Sequence, residues 1–306
     1  MLVENYPGEQ NAGLDESGLE LREALRAHVE FLSLEVGERN VLNPGSLHRV
    51  LAYIKACWES WGYRIHSQDY FTDEELFTNL WVEVQGSQHP EEVVVVGAHY
   101  DTFPRTPGAD DNATAVAGLL ELSRRLAGLK PGKTIRFVAF ANEEPPYFMS
   151  DFMGSYVYAR QCRQQEQKIA VMVCLEMLGY FNGAEQGQAN TYDLLPDRGD
   201  FICLCGNPES KEQIVQAGEA FRKAVTLPLS LVAVSEAVVP MVAYSDHWSF
   251  WQCGWPAFMV TDTGPLRNPH YHEPSDLPET LDFDSFTRVL QGVEAVVLGF
   301  ASPPPG

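Results

Sequence analysis

Apolar residues recur at helical spacing over residues 18–35 and again over 46–62, with Gly37, Asn40, Asn43, Pro44 and Gly45 between them. Two helices joined by a loop are predicted there. Tyr63–Tyr70 and Leu80–Val84 alternate as antiparallel strands do, whereas Val93–Val96 and Ile135–Phe140 are unbroken apolar runs, the pattern of central strands covered on both faces. Between those two runs, Ala113–Leu129 is amphipathic and follows an Asp-Asp-Asn cap, which completes a strand–helix–strand unit. The alternation continues with strands Ile169–Leu175 and Phe201–Leu204, helix Glu209–Ala224, strands Leu229–Val234 and Ala257–Thr261, and a closing helix near Phe283–Phe300. This order predicts an α/β chain: a three-layer αβα architecture with a central mixed, mostly parallel β-sheet. It reads as one domain over residues 1–306, with the N-terminal helices 18–62 packed on it and a short Pro-rich tail at 302–306.

With 306 residues, 45% of them hydrophobic and 11% aromatic, the chain has ample material for a large core. A net charge of -21 repels nucleic acid and anionic membranes alike, so neither is expected as a partner. No stretch reaches the length of a membrane span, and the acidic segment Met1–Asp15 lacks the basic-then-apolar pattern of a signal peptide; a cytoplasmic location is expected. The six cysteines follow no zinc-finger spacing, and Cys174, Cys203 and Cys205 lie in apolar strand-like runs. They are read as unpaired thiols serving as small hydrophobes.

Three distant segments place acidic or imidazole groups at the ends of apolar runs: His99-Tyr100-Asp101 with Gly108-Ala109-Asp110-Asp111-Asn112, then Asn142-Glu143-Glu144, then Asn268-Pro269-His270-Tyr271-His272. Ligands of α/β sheets collect beyond the carboxyl ends of the strands, where these segments fall. Together they offer a two-metal ligand set and point to amide hydrolysis with zinc. His99 and Asp101 emerge on one side of their strand end; His99 is a candidate ligand, and Asp101 is better placed to hold the imidazole or its surroundings. Asp111, at the start of a helix, can bridge two cations with its two oxygens, although Asp110 and Asn112 compete for that role. Glu143 and Glu144 point in different directions, so one can bind metal while the other moves a proton.

These residues resemble a known family, the dinuclear-zinc aminopeptidases of the bacterial leucyl aminopeptidase type, to which glutaminyl cyclases are structural relatives. The similarity extends over most of the chain, through Gly97-Ala98-His99-Tyr100-Asp101, Gly108–Ala113, Glu143-Glu144 with Gly154-Ser155, Ser245-Asp246-His247 with Phe250 and Gly254, and Tyr271-His272 with Asp276. The resemblance implies a zinc-peptidase-like catalytic domain holding two zinc ions. Asp111 would bridge them, His99 would complete one site, and Glu144 with His272 the other. It further implies Glu143 as general base and a cis peptide between Asp111 and Asn112. Tyr271, beside His272, is expected to serve as a hydroxyl donor to the developing oxyanion.

The chain departs from the family twice. The remaining ligand of the first site is normally an Asp in Asn-x-Asp-Met-x-Gly, and the matching stretch here is Cys174-Leu175-Glu176-Met177-Leu178-Gly179, which assigns the position to Glu176. An insert, Pro145–Met153, replaces a short Gly-Leu turn and is expected to shape the substrate pocket. His247 matches a position not used for metal, and His48, His66 and His89 belong to no motif. The expected activity is release of the N-terminal residue from peptides with a free amine. Two other readings are a glutaminyl cyclase working with one zinc and a binding protein on an inactive peptidase fold.

Overall fold

The valines of the run 93–96 divide between two cores: Val94 and Val96 pack with one apolar cluster, Val93 and Val95 with the other. Ile135, Phe137 and Ala139 likewise join the first cluster while Val138 and Phe140 join the second. Both strands are therefore sandwiched, which is why their sequences carry no polar alternation. The computed structural model describes residues 1–9, 13–72, 75–185 and 194–302. Apart from Ser302, the expected Pro-rich tail lies outside the described residues.

The strands are β1 (Leu2–Tyr6), β2 (His66–Phe71), β3 (Leu76–Val84), β4 (His89–His99), β5 (Lys133–Phe140), β6 (Lys168–Glu176), β7 (Asn182–Glu185), β8 (Arg198–Gly199), β9 (Ile202–Gly206), β10 (Leu229–Ala233) and β11 (Ala257–Thr261). Nine of them form one sheet in the order β1-β10-β9-β11-β6-β4-β5-β3-β2, and β7 pairs with β8 alone. The central neighbours β11, β6, β4 and β5 run parallel, whereas β5-β3 and β3-β2 are antiparallel. The sheet is thus mixed, with its parallel block at the centre.

The helices are α1 (Glu16–Glu30), α2 (Pro44–Ser60), α3 (Ala115–Leu126), α4 (Gly154–Gln164), α5 (Lys211–Ala224), α6 (His247–Gln252), α7 (Gly264–Arg267) and α8 (Phe283–Ala301). Apolar residues of α1, α2, α3, α5 and α8 fill the first cluster, and those of α4 and α6 fill the second, so helices cover both faces of the sheet. Asp15 caps α1 by accepting from the Gly18 amide, and Asp282 caps α8 by accepting from the amides of Asp284 and Ser285.

Two expectations need correction. The sequence placed two helices ahead of any strand, but Leu2–Tyr6 forms the edge strand β1, antiparallel to β10. Only Leu2 of its five residues is buried, and its hydrogen bonds come from a segment more than 220 positions away, so no local pattern marked it. The helix expected from Ala113 begins at Ala115, because the backbone leaves helical angles at Asp111 and Asn112. The structure also adds α4 and α6, which the hydrophobic pattern left as unassigned residues beside motifs.

Candidate metal centre

Strands β6, β4 and β5 lie side by side and parallel, so Glu176, His99 and the turn after Phe140 emerge at one edge of the sheet. Donor atoms of His99, Asp111 and Glu176 all lie within 4.8 Å of one another, and so do those of Asp111, Glu144 and His272. His99 Nε2 is 3.5 Å from Asp111 Oδ1 and 3.2 Å from Glu176 Oε2. On the other side, His272 Nε2 is 3.2 Å from Asp111 Oδ2 and 3.4 Å from Glu144 Oε1. Asp111 thus turns one oxygen to each cluster, and its competitors do something else. Asp110 accepts from the Gly179 amide and from Asn268, while Asn112 donates to the Leu175 carbonyl and accepts from the Met177 amide. Both tie the loop to the end of β6. The Asp111–Asn112 peptide is cis.

A metal requires donors that the protein itself has not satisfied, and among the described residues no group donates a hydrogen bond to the buried Asp111 Oδ1 or Glu144 Oε1. The donor set, two imidazoles with three carboxylates around one shared Asp, suits zinc. Neighbouring groups fix its members. Ser245 Oγ donates to Glu176 Oε2 at 2.6 Å, which restrains the longer side chain that stands where the family has Asp. The backbone amides of Asp110 and Asp111 donate to the two oxygens of Asp276 at 2.9 and 3.1 Å. The His272 ring is stacked between Phe103 and Tyr271, with centroids 3.9 and 3.7 Å away. Asn142, Met177 and His272 have φ of 57°, 50° and 60°. Such left-handed angles cost non-glycine residues about 1 kcal/mol or more, and here they redirect the chain beside Glu143, beside Glu176 and at His272 itself.

Asp101 does not join either donor cluster. Its carboxylate accepts from the backbone amides of Glu143 and Glu144 at 3.1 and 3.0 Å, and lies 3.5 Å from His99 Nδ1. It is a positioning residue that locks the Glu143-Glu144 turn against the end of β4. Glu143, also outside both clusters, faces a cavity that it shares with Glu144, Glu176 and Tyr271. His247 is buried, hydrogen-bonded to the Val242 carbonyl, and pushed down to about 4 by burial, so it stays neutral and apart from the donor sets.

So many acids in one buried place disturb one another. Burial pushes Glu143 well above the usual carboxylate range, and Glu144, Glu176 and Asp246 push it further against the opposing pull of His99. Glu144 is raised to about 7 by burial and by Asp111. Burial disfavours charge on His272, but the close carboxylates of Asp111 and Glu144 outweigh it and lift the imidazole to about 9. Burial also raises the Tyr271 phenol, which keeps its proton and remains a donor.

The cavity measures about 330 Å³ and runs from these acids into an apolar recess. Phe148, from the insert after Glu144, lines it and meets Tyr244 edge-on at 5.5 Å. Sheet register builds its floor: Met259 and Val232 both lie opposite Cys205, and Cys203 lies opposite Thr261, which lies opposite Glu176. Apart from Glu176, sequence reasoning placed none of these residues at the site, nor did it find Ser245 as the partner of Glu176, nor Phe103. They sit on different strands and loops, and only the fold brings them together. All six cysteines are free, as expected.

A family model described as peptidase family M28 matches residues 79–297. The uncharacterized protein YfbL of Escherichia coli (strain K12) is 36% identical over 283 residues, covering 89% of this chain and 86% of that protein. Leucine aminopeptidase 1 of Trichophyton equinum is 28% identical over 232 residues, 69% of this chain but 54% of the fungal enzyme, so the chain spans about half of that relative. Among solved structures, a zinc aminopeptidase from Bacillus subtilis superposes with a TM-score of 0.75 at 14% identity, covering 93% of this chain and 96% of that one. A glutaminyl cyclase from Fimbriiglobus ruber gives 0.67 at 18% identity, covering 96% and 98%. The last two likenesses speak for the fold alone. The family model spans most of the sequence and all the residues of both donor clusters, and the chain belongs to peptidase family M28.

Proposed function

We propose that the chain is an aminopeptidase that holds two zinc ions, one between His99, Asp111 and Glu176 and one between Asp111, Glu144 and His272. The observation that carries this reading is the orientation of Asp111, whose two oxygens serve two separate donor clusters, each with its own imidazole and glutamate. Zinc bound there would supply Lewis acidity to activate water and polarise the scissile carbonyl. Glu143, buried beside both clusters with a raised affinity for protons, accepts the proton of the attacking water and returns it to the leaving amine. Tyr271 donates its hydroxyl to the developing oxyanion. The substrate's free ammonium group suits the carboxylates that line the cavity, and the recess over Cys205, Val232 and Met259 suits a large apolar N-terminal side chain.

Similarity to glutaminyl cyclase structures and the insert after Glu144 keep cyclisation as the competing chemistry. Two complete donor clusters favour hydrolysis over a reaction served by one zinc. A Gln-initiated peptide incubated with the zinc-loaded chain and followed by mass spectrometry separates the two. Loss of the first residue supports the aminopeptidase, and loss of ammonia from an intact chain supports the cyclase. A panel of unblocked Leu, Met, Phe, Ala and Lys anilides is expected to favour the first three, with N-acetylation abolishing turnover. No turnover of any of these substrates would leave a binding role as the reading.

A further inference from the structure

Arg39 lies in the loop between α1 and α2, before the segment that the family model matches, and it is 1% exposed. Its guanidinium spends its donors on five backbone carbonyls, three of them in the loops that carry His99 and Asp111. Nε donates to the Tyr100 carbonyl at 3.1 Å, Nη1 to those of Leu32, Gly37 and Pro107 at 2.9, 3.0 and 2.7 Å, and Nη2 to that of Gly108 at 2.9 Å. The main chain joins in: the Arg39 amide donates to Thr102 Oγ1 and the Thr102 amide donates to the Arg39 carbonyl.

Tyr100 stands between His99 and Asp101, and Gly108 opens the turn that presents Asp111. One side chain therefore pins both loops that carry the first cluster's shared and imidazole donors. The turn is tight against it. Gly108 has φ of 62°, and a Cβ there would lie 2.4 Å from the Asp111 carbonyl oxygen and 3.0 Å from Arg39 Nη2. Among the described residues no carboxylate forms an ion pair with Arg39 directly, so its charge faces Asp276, Asp111 and Asp101 from behind the backbone. Desolvating a guanidinium is costly, and a planar fork of five donors is the one side chain that can grip this many carbonyls in fixed directions; lysine offers three donors from a single point.

We propose that Arg39 is a positioning residue that sets the spacing of His99 and Asp111 and thereby the affinity of the paired metal sites. The inference rests on the two-zinc reading given above.

The test uses the full chain with Arg39→Met and Arg39→Lys. Folding is followed by far-UV circular dichroism, zinc affinity by competition with a chromogenic chelator, and geometry by the visible spectrum of the cobalt-substituted protein. Arg39→Met is expected to keep its fold, to bind at least one of the two ions at least 10-fold less tightly, and to change the cobalt spectrum. At saturating zinc its kcat should fall with KM little altered, and Arg39→Lys should lie between. A variant with lowered melting temperature but unchanged cobalt spectrum and zinc affinity would make Arg39 a plain structural clamp and overturn the proposal. If Arg39→Met does not fold, Arg39→Lys decides by the same readouts, and failure of both to fold also overturns it. Failure of the two-zinc reading shows separately, as a wild-type chain that takes up fewer than two ions at excess zinc; the proposal then falls with it.

Discussion

Glu143→Gln keeps the size and shape of the side chain but removes its ability to take a proton. With the proton carrier gone, turnover should fall by roughly 10²–10⁴, which corresponds to about 3–5 kcal/mol of lost transition-state stabilisation. Because Glu143 belongs to neither donor cluster, metal content should stay at the wild-type value, whereas Glu144→Gln should lose metal. The structure adds a second, independent readout. Burial and the neighbouring acids raise the proton affinity of Glu143, so the folded metal-free chain holds that proton more tightly than the unfolded chain does. A raised carboxylate contributes a penalty that grows as pH climbs above the ordinary Glu value of about 4.3, and the metal-free protein loses stability in that direction. Gln cannot ionise, so metal-free Glu143→Gln should outlast wild type at pH 8, with the gap closing towards pH 4. Initial rates on leucine anilide at saturating zinc, elemental analysis, and thermal unfolding of the chelated protein across that pH range measure the three effects. A variant that retained half the activity, or that lost its zinc, would sink the assignment of Glu143 as proton carrier; an unchanged pH dependence of unfolding would sink the electrostatic argument.

Zinc must displace protons from His272, lifted to about 9, and from Glu144, lifted to about 7; binding should therefore release more protons at pH 6.5 than at pH 9.5 and tighten as pH rises, which calorimetry in buffers of different ionisation enthalpy can follow. Cys205→Phe fills the recess floor, so kcat/KM for leucine and phenylalanine anilides should fall at least 10-fold relative to alanine anilide, and equal losses on all three would argue against the recess as the side-chain pocket. Asp276→Asn turns one of two acceptors facing the Asp110 and Asp111 amides into a donor, which should cost about 1–3 kcal/mol in the chelated protein and weaken zinc binding; a wild-type melting temperature would refute that role.

The central strands, the amphipathic helices and the groups at their ends were legible in the sequence because each depends on local pattern. Four valines in a row announce a doubly covered strand, and His99, Glu143-Glu144 and Tyr271-His272 stand beside apolar runs or in motifs of fixed spacing. Glu176 was reachable through the family resemblance, since its neighbours match a motif though it departs from the usual Asp. The edge strand β1 was not legible, because its hydrogen bonds come from β10 and only one of its side chains is buried. Arg39 and Phe103 carry no local mark at all, and Ser245 stands in a family-like segment that gives no hint of its partner: a buried arginine, a stacking ring and a serine donor acquire their roles from partners 61, well over 100 and 69 positions away. The pocket floor is the extreme case. Cys205, Val232 and Met259 face one recess because β9, β10 and β11 pair in one register, and a slip of one residue would turn each of them to the opposite face. Sequence determined which chemistry the strand ends could offer, and the register of the sheet decided which side chains meet there.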